Sequence, residues 1–266
     1  MSARPVTGFP LDERLSQRDL AVVVAVAELR YLTTRQLERW HYPGATPLAR
    51  ARAARRSLER LTRLGVLARL ERRIGGVRAG SAGYVYTLDL AGQRLAAAHG
   101  WLPSGRARRV REPGHAFTRH TLAVAEVHIR LIEAERSGTL ELIERESEPR
   151  CWRPYVGAGG AWLTLKPDAY AVVGVGEDEL SWFLEIDRGT ESTATIERKL
   201  AAYVAYWRSG REVAARGVHP RTLWLAPDAR RVGQLVSAVG RLPAEAWELF
   251  QVVPFDDLIT ALVQGK

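Results

Sequence analysis

Apolar residues recur at helical spacing through residues 16–30, where Leu20, Val23, Val24 and Ala27 share one face. Ser16 is placed to cap that helix, and Asp19 at its third position favours the start. Thr33-Thr34-Arg35-Gln36 reads as a capping box, because the Thr33 hydroxyl can accept the Gln36 amide while the Gln36 side chain reaches back. It opens a short second helix ending near Trp40, after which His41-Tyr42-Pro43-Gly44 breaks the chain. A third helix is predicted from Pro47, a good first-turn residue, to Leu64, with Gly65 as its cap. Leu48, Ala51, Leu58, Leu61 and Leu64 supply its inward stripe. Two β-prone runs follow at 66–74 and 84–88, joined by a glycine-rich hairpin tip, and residues 91–99 form one more predicted helix.

In the second half, residues 119–136 are apolar around much of the helical circumference through Leu122, Val124, Val127, Leu131 and Ile132, so this helix is expected to be buried. Strands are predicted at 140–146, 162–173, 180–187, 222–226 and 248–253, and helices at 192–208, 228–239 and 255–263. Three strands, then helix and strand in alternation, predict an α/β sandwich with a mixed sheet. The resulting division is 1–100, a linker over 101–116 that mixes proline, glycine and arginine, and 117–266.

Composition adds a partner to this picture. The chain has 266 residues, 46% of them hydrophobic, enough for two modest cores. Its one cysteine, Cys151, excludes an internal disulfide and a thiolate zinc cage. Neither a signal-peptide core nor a run of membrane-spanning length is present, so a cytoplasmic protein is expected. The net charge of +9 is uneven: residues 1–111 hold 21 Lys/Arg against 8 Asp/Glu, and 112–266 hold 18 against 22. A preference for arginine over lysine would spread through the whole chain, so the basic excess of the first half marks it as the half that faces a polyanion.

Three helices followed by a two-stranded hairpin is the order of a winged helix-turn-helix, in which the third helix enters the major groove of double-stranded DNA and the wing touches the backbone. Arg50, Arg52, Arg55, Arg56 and Arg60 on the third helix, with Arg73 and Arg78 on the wing, are the predicted DNA contacts. Arginines mostly hold phosphates, so no recognised sequence follows from them. The alternative use of such a module is protein interaction.

The chemistry is concentrated in the second half, in Lys166-Pro167-Asp168 and Leu184-Glu185-Ile186-Asp187. Strand residues two apart share a face, about 7 Å apart, so Lys166, Asp168 and Tyr170 should project together, as should Glu185 and Asp187. If the two strands pair antiparallel, Asp168 and Glu185 converge on one place, where a pair of carboxylates suits Mg²⁺, with Mn²⁺ as a substitute. His115, His120 and His128 lack the tight spacing of a zinc site, and no Ser-His-Asp order, P-loop or dinucleotide fingerprint is present.

The helix at 119–136, Pro167-Asp168, Glu185-x-Asp187 and the helix after them resemble the restriction-endonuclease-like PD-(D/E)xK superfamily. The resemblance implies that Asp168 and Glu185 are metal ligands, joined by an acidic residue of the first helix, best matched by Glu126. It also implies a lysine where this chain has Asp187. Some members carry that amine on the next helix, which points to Lys199; the chain has three lysines, Lys166, Lys199 and Lys266, and the two internal ones fall beside the acidic pair. Lys199 and Tyr203, four apart, share a helix face. Over nearly the whole chain, Leu88-x-x-x-Gly92, Glu185-Ile186-Asp187-Arg188-Gly189-Thr190 and Lys199-Leu200-x-x-Tyr203 resemble the replication-relaxation family of plasmids and other mobile elements.

Two functions stay open at this level. One is a DNA-binding protein of replication or DNA relaxation that acts as a Mg²⁺-dependent nickase or endonuclease through Asp168, Glu185, Lys199 and the divergent Asp187. The other is a non-enzymatic accessory or transcription-regulatory protein whose degenerate nuclease-like domain mediates homodimerisation or docks other replication or mobilisation proteins. Isologous dimerisation would suit repeated half-sites.

Overall fold

The computed structural model describes residues 11–42, 46–70 and 83–265, which fall into two compact units, Met1–Ala125 and Glu126–Lys266. In unit 1 a short 3-10 turn, Leu11–Arg14, precedes α1 (Gln17–Leu29), β1 (Leu32–Thr33), α2 (Thr34–His41), α3 (Pro47–Arg63), β2 (Leu67–Arg69), β3 (Val85–Leu88) and α4 (Leu90–Ala98). The expected Thr33–Gln36 capping box forms, and the Ser16 cap proves to be a second such box with Asp19. The strands make an antiparallel sheet of order β1-β3-β2. β1, two residues long, was beyond the periodicity signal; it exists because Leu32 pairs with Tyr86. Arg73 and Arg78, the expected wing contacts, lie outside the described residues.

The core of unit 1 is built from Val22, Val23, Val26, Leu29, Leu37, Leu58, Leu61 and Tyr86. Two stripe assignments shift. α1 buries Val22, Ala25 and Leu29 besides Val23, a wider arc than expected, because it packs against α2, α4 and β3 together. Leu48 is 59% exposed rather than inward, since burial along α3 begins only at Ala54.

Gly92 explains part of the Leu88-x-x-x-Gly92 spacing. A Cβ on Gly92 would overlap the Val66 carbonyl oxygen and come within 3.2 Å of Leu88 Cδ2, so α4 can lie against this strand backbone only through a bare Cα. Gly92→Ala is therefore expected to destabilise unit 1 by about 1–3 kcal/mol, the usual cost of overpacking. Urea unfolding checks it, and unchanged stability would show that α4 can move away freely.

Unit 2 receives the end of α5 (His115–Arg136), then β4 (Glu141–Ser147), β5 (Arg153–Val156), β6 (Trp162–Leu165), β7 (Ala169–Val175) and β8 (Asp178–Ile186). After these come α6 (Thr193–Arg208), α7 (Arg211–Arg216), β9 (Arg221–Ala226), α8 (Ala229–Val239), β10 (Phe250–Pro254) and α9 (Leu258–Gln264). The result is α+β, with a mixed five-stranded sheet of order β10-β9-β8-β7-β4. β4, β7 and β8 pair antiparallel, whereas β9 and β10 run parallel to β8. As expected, α5 is buried around much of its surface, including Val127, Ile129, Leu131 and Ile132. His128 on this helix is fully buried, and burial, helped by Arg145, pushes its pKa down to about 3, so it is a neutral core residue.

The strand expected at 162–173 is two strands. β6 pairs with β5 in a separate hairpin, and β7 joins the main sheet. Pro167 stands between them, where the missing N–H ends one ladder before the next begins. Asp168 consequently sits at the mouth of β7 and not in mid-strand. Phe183 on β8 packs against Tyr203 and Tyr206 of α6, which fixes the face that β8 shares with that helix. Glu185, two residues on, faces the same way.

Candidate functional site

The site forms where β7 begins and β8 ends. Ala169 is opposite Leu184, so the next antiparallel step sets Asp168 across from Glu185, as the alternation argument anticipated. The Asp168 amide donates to the Leu184 carbonyl at 3.1 Å, and Asp168 Oδ2 accepts the Ile186 N–H at 2.7 Å. Both carboxylates are buried, Asp168 at 6% and Glu185 at 2% exposed.

α6 approaches with two side chains one turn apart. Tyr203 Oη donates to Glu185 Oε1 at 2.7 Å, and Lys199 Nζ donates to Glu185 Oε2 at 3.1 Å. Ser192 caps the helix, and Glu191 just before it takes a second contact from Lys199 at 2.9 Å. Lys199 thus bridges two carboxylates, with Asp168 close enough to act on it electrostatically.

Burial is the largest influence on Glu185, and together with the Asp168 charge it overcomes the opposing pull of Lys199 and Tyr203, raising the carboxyl to about 7. For Lys199 burial works downward, but Glu185, Asp168 and Glu191 outweigh it and hold the ammonium above its usual range. Burial and the adjacent Glu185 charge push Tyr203 well up, so it stays a phenol and serves as a donor. Cys151, whose thiol burial lifts to about 12, donates to the Pro167 carbonyl at 3.1 Å and steadies the turn before Asp168. It is not a nucleophile.

Asp187 does something else. Its Oδ2 accepts Arg231 Nε at 2.6 Å, its Oδ1 accepts the Gly189 N–H at 2.5 Å, and both partners of the ion pair are buried. Arg231 continues to the Glu191 carbonyl at 2.9 Å, so the pair ties the loop after β8 to α8. Gly189 makes that turn at φ +71, with Pro227 filling the space beside it. At the position where the motif has its lysine, Asp187 thus brackets the loop to α8.

The remaining expectations divide. Glu126 lies 3.7 Å from Arg130 on its own helix. Among the described residues no three His, Cys, Asp or Glu side chains gather around one point, so Glu126 does not complete a three-carboxylate set with Asp168 and Glu185. Lys166 is turned onto the Trp152 ring, 4.5 Å from its centroid. On α3, Arg52, Arg55 and Arg56 are exposed and Arg50 is partly so. Arg60 is drawn to the buried Asp19, which also accepts Ser57 at 2.9 Å, so it fastens α3 to α1. Tyr203 was visible as a helical neighbour of Lys199; Glu191 and Arg231 carried no sequence signal, because their roles depend on how the loop after β8 turns.

The donors at the site are hard oxygens: the Glu185 and Glu191 carboxylates hold the Lys199 ammonium, and the Asp168 charge acts on it electrostatically. Asp168 and Glu185, facing each other across β7 and β8, are carboxylates of the type that Mg²⁺ takes, one or two at a time with waters completing its shell. A model of the replication-relaxation family matches residues 24–222, across both units. The chain belongs to the replication-relaxation family, which ties it to replication or the relaxation of DNA. No curated protein and no solved structure matches it. Among the described residues no helix is long and apolar enough to cross a membrane.

Proposed function

We propose that this protein binds double-stranded DNA of a plasmid or other mobile element through unit 1 and cuts a phosphodiester of it through unit 2. The observation that carries the reading is Lys199 Nζ on Glu185 Oε2 at 3.1 Å, beside the buried Asp168. The ammonium that the motif has two residues after Glu185, where this chain has Asp187, would be supplied from α6. The order of α5, β4, β7, β8, α6 and β9, with β9 parallel to β8, agrees with the αβββαβ core of PD-(D/E)xK nucleases. The three helices and strands of unit 1, with its basic excess, agree with a winged helix.

In this reading Asp168 and Glu185 would hold Mg²⁺. The chemistry it would supply there is polarisation of a phosphoryl oxygen and a lowered pKa of a bound water. Tyr203 keeps one oxygen of Glu185 fixed, so the carboxylate cannot swing away. Lys199, held as a cation by its neighbours, stabilises negative charge developing on the phosphate, and needs no reorganisation to do so. Glu185 being only 2% exposed and doubly bonded favours the rival reading, an accessory DNA-binding protein whose second unit docks a partner. Loss of plasmid nicking on substitution of the carboxylates separates the two.

For the DNA end, replacing Arg52, Arg55 and Arg56 with Ala should reduce the slope of log affinity against log salt by up to about 3 and weaken binding at least about tenfold at physiological salt. Fluorescence anisotropy with a labelled duplex measures both. Affinity and slope equal to wild type would remove α3 from the interface.

A further inference from the structure

Residues 105–111 were expected to be a linker, yet they are laid against unit 1. Gln93 of α4 pins them at two points: its Nε2 donates to the Arg108 carbonyl at 2.8 Å, and its Oε1 accepts the Arg108 N–H at 2.9 Å. The same Nε2 reaches the Leu88 carbonyl at 3.2 Å, so the strap is fastened to both β3 and α4. Between strap and body runs a groove of about 1220 Å³, lined by Arg94, Arg106, Arg108, Arg109, Arg111 and Tyr31 among others. All five arginines are exposed, and among the described residues none of their guanidiniums takes a carboxylate. Five cations thus line one groove, four on the strap and Arg94 on the helix beside it.

We propose that this groove is a second DNA-binding site of unit 1, in which the strap arginines hold the phosphate backbone of duplex DNA flanking the segment met by α3. The inference rests on the DNA-binding reading above. Its chemistry is that of guanidinium forks on phosphate oxygens, which set position and affinity but read no bases. Duplex backbone fits better than single-stranded DNA, which is gripped by stacking bases on open aromatic faces. Tyr31, the aromatic of the named lining, already has its ring packed edge-to-face with Phe117 at 6.2 Å. Pinning matters as well, because arginines on an ordered strap lose less freedom on binding than the same arginines on a flexible chain.

The test uses the full chain and labelled duplex DNA over a range of salt. Arg106, Arg108 and Arg109 replaced together by Ala should lower the salt slope by up to about 3 and the affinity at least about tenfold, while replacement by Lys keeps the slope. Gln93→Ala, which retains every charge but releases Arg108, should weaken binding severalfold at an unchanged slope. If the alanine triple matches wild type while the Arg52/Arg55/Arg56 variant falls, the strap assignment is wrong and the α3 reading stands. If Gln93→Ala binds as wild type does, the charges act without the groove and the proposal is also wrong. Wild-type protein without salt-dependent duplex binding would overturn both.

Discussion

Asp187→Lys, which restores the lysine of the nuclease motif, is expected to unfold unit 2 and confer no activity. The carboxylate it removes is the 2.6 Å partner of the buried Arg231 Nε, and the ammonium it introduces would face that guanidinium. Breaking a buried pair by deleting one partner costs about 3–5 kcal/mol, because the other charge is left uncompensated. A second cation in the same place adds repulsion, and the Gly189 amide loses its acceptor at the turn. Against the 5–15 kcal/mol that typically holds a domain, this is a large fraction. A fall in Tm of roughly 10–20 °C, or insoluble protein, is the expected result. Asp187→Ala with Arg231→Met should recover much of the loss suffered by Asp187→Ala alone, since a buried pair can often be replaced by apolar side chains with little penalty. Thermal melts of the four proteins decide it. A stable Asp187→Lys protein with new cleavage activity would make Asp187 a lapsed catalytic position, contrary to its role as a bracket.

The second large effect is expected at Glu185, where stability and activity should move in opposite directions. Glu185→Gln keeps an oxygen for Tyr203 but removes a charge that burial and Asp168 oppose. In the folded protein the Glu185 carboxyl sits at about 7, raised from 4.5. The unfolded chain therefore releases this proton first, and stability drains away as pH rises from about 4.5 to about 7. Any gain from the proton on Glu185 is complete below that window and absent above it. In metal-free buffer at pH 8, Glu185→Gln should accordingly be more stable than wild type by on the order of a few kcal/mol, with the difference vanishing near pH 4. Its cleavage should nonetheless fall by at least about 100-fold, the scale on which preorganised charge contributes to catalysis. Urea unfolding at several pH values, beside a nicking assay, reads both. Equal stability across that pH range would mean that Glu185 is not strained in its pocket.

Much of this arrangement is legible in the sequence, for physical reasons that differ from residue to residue. The caps at Ser16 and Thr33 are local chemistry, complete within four residues, and they formed as written. Asp168 and Glu185 could be brought together on paper because antiparallel register and side-chain alternation are strict. Lys199 stood out through scarcity in a chain that otherwise uses arginine. Four features were not legible. Pro167 divides one apolar run into strands of two different sheets, and hydrophobicity alone cannot see a ladder change partners. Asp187 and Arg231 lie 44 positions apart, and only the turn at Gly189 and the packing of α8 bring them together. Arg60 has the same composition signal as Arg56, yet only Arg60 is tied to the buried Asp19, a pairing across 41 positions that no local pattern announces. The strap at 105–111 was hidden for a related reason, since proline, glycine and arginine read as linker unless a residue such as Gln93 is known to hold them.

The central claim is that Asp168, Glu185 and Lys199 form one working site. Its most direct test is incubation of supercoiled plasmid with pure protein and Mg²⁺ or Mn²⁺, beside Asp168→Ala, Glu185→Ala and Lys199→Ala, each first shown to be folded. Wild-type protein should convert supercoiled to nicked or linear DNA only when the metal is present, and each substitution should reduce that conversion by at least about 100-fold. DNA that wild-type protein binds but leaves intact, or nicking that survives all three substitutions, would contradict the account.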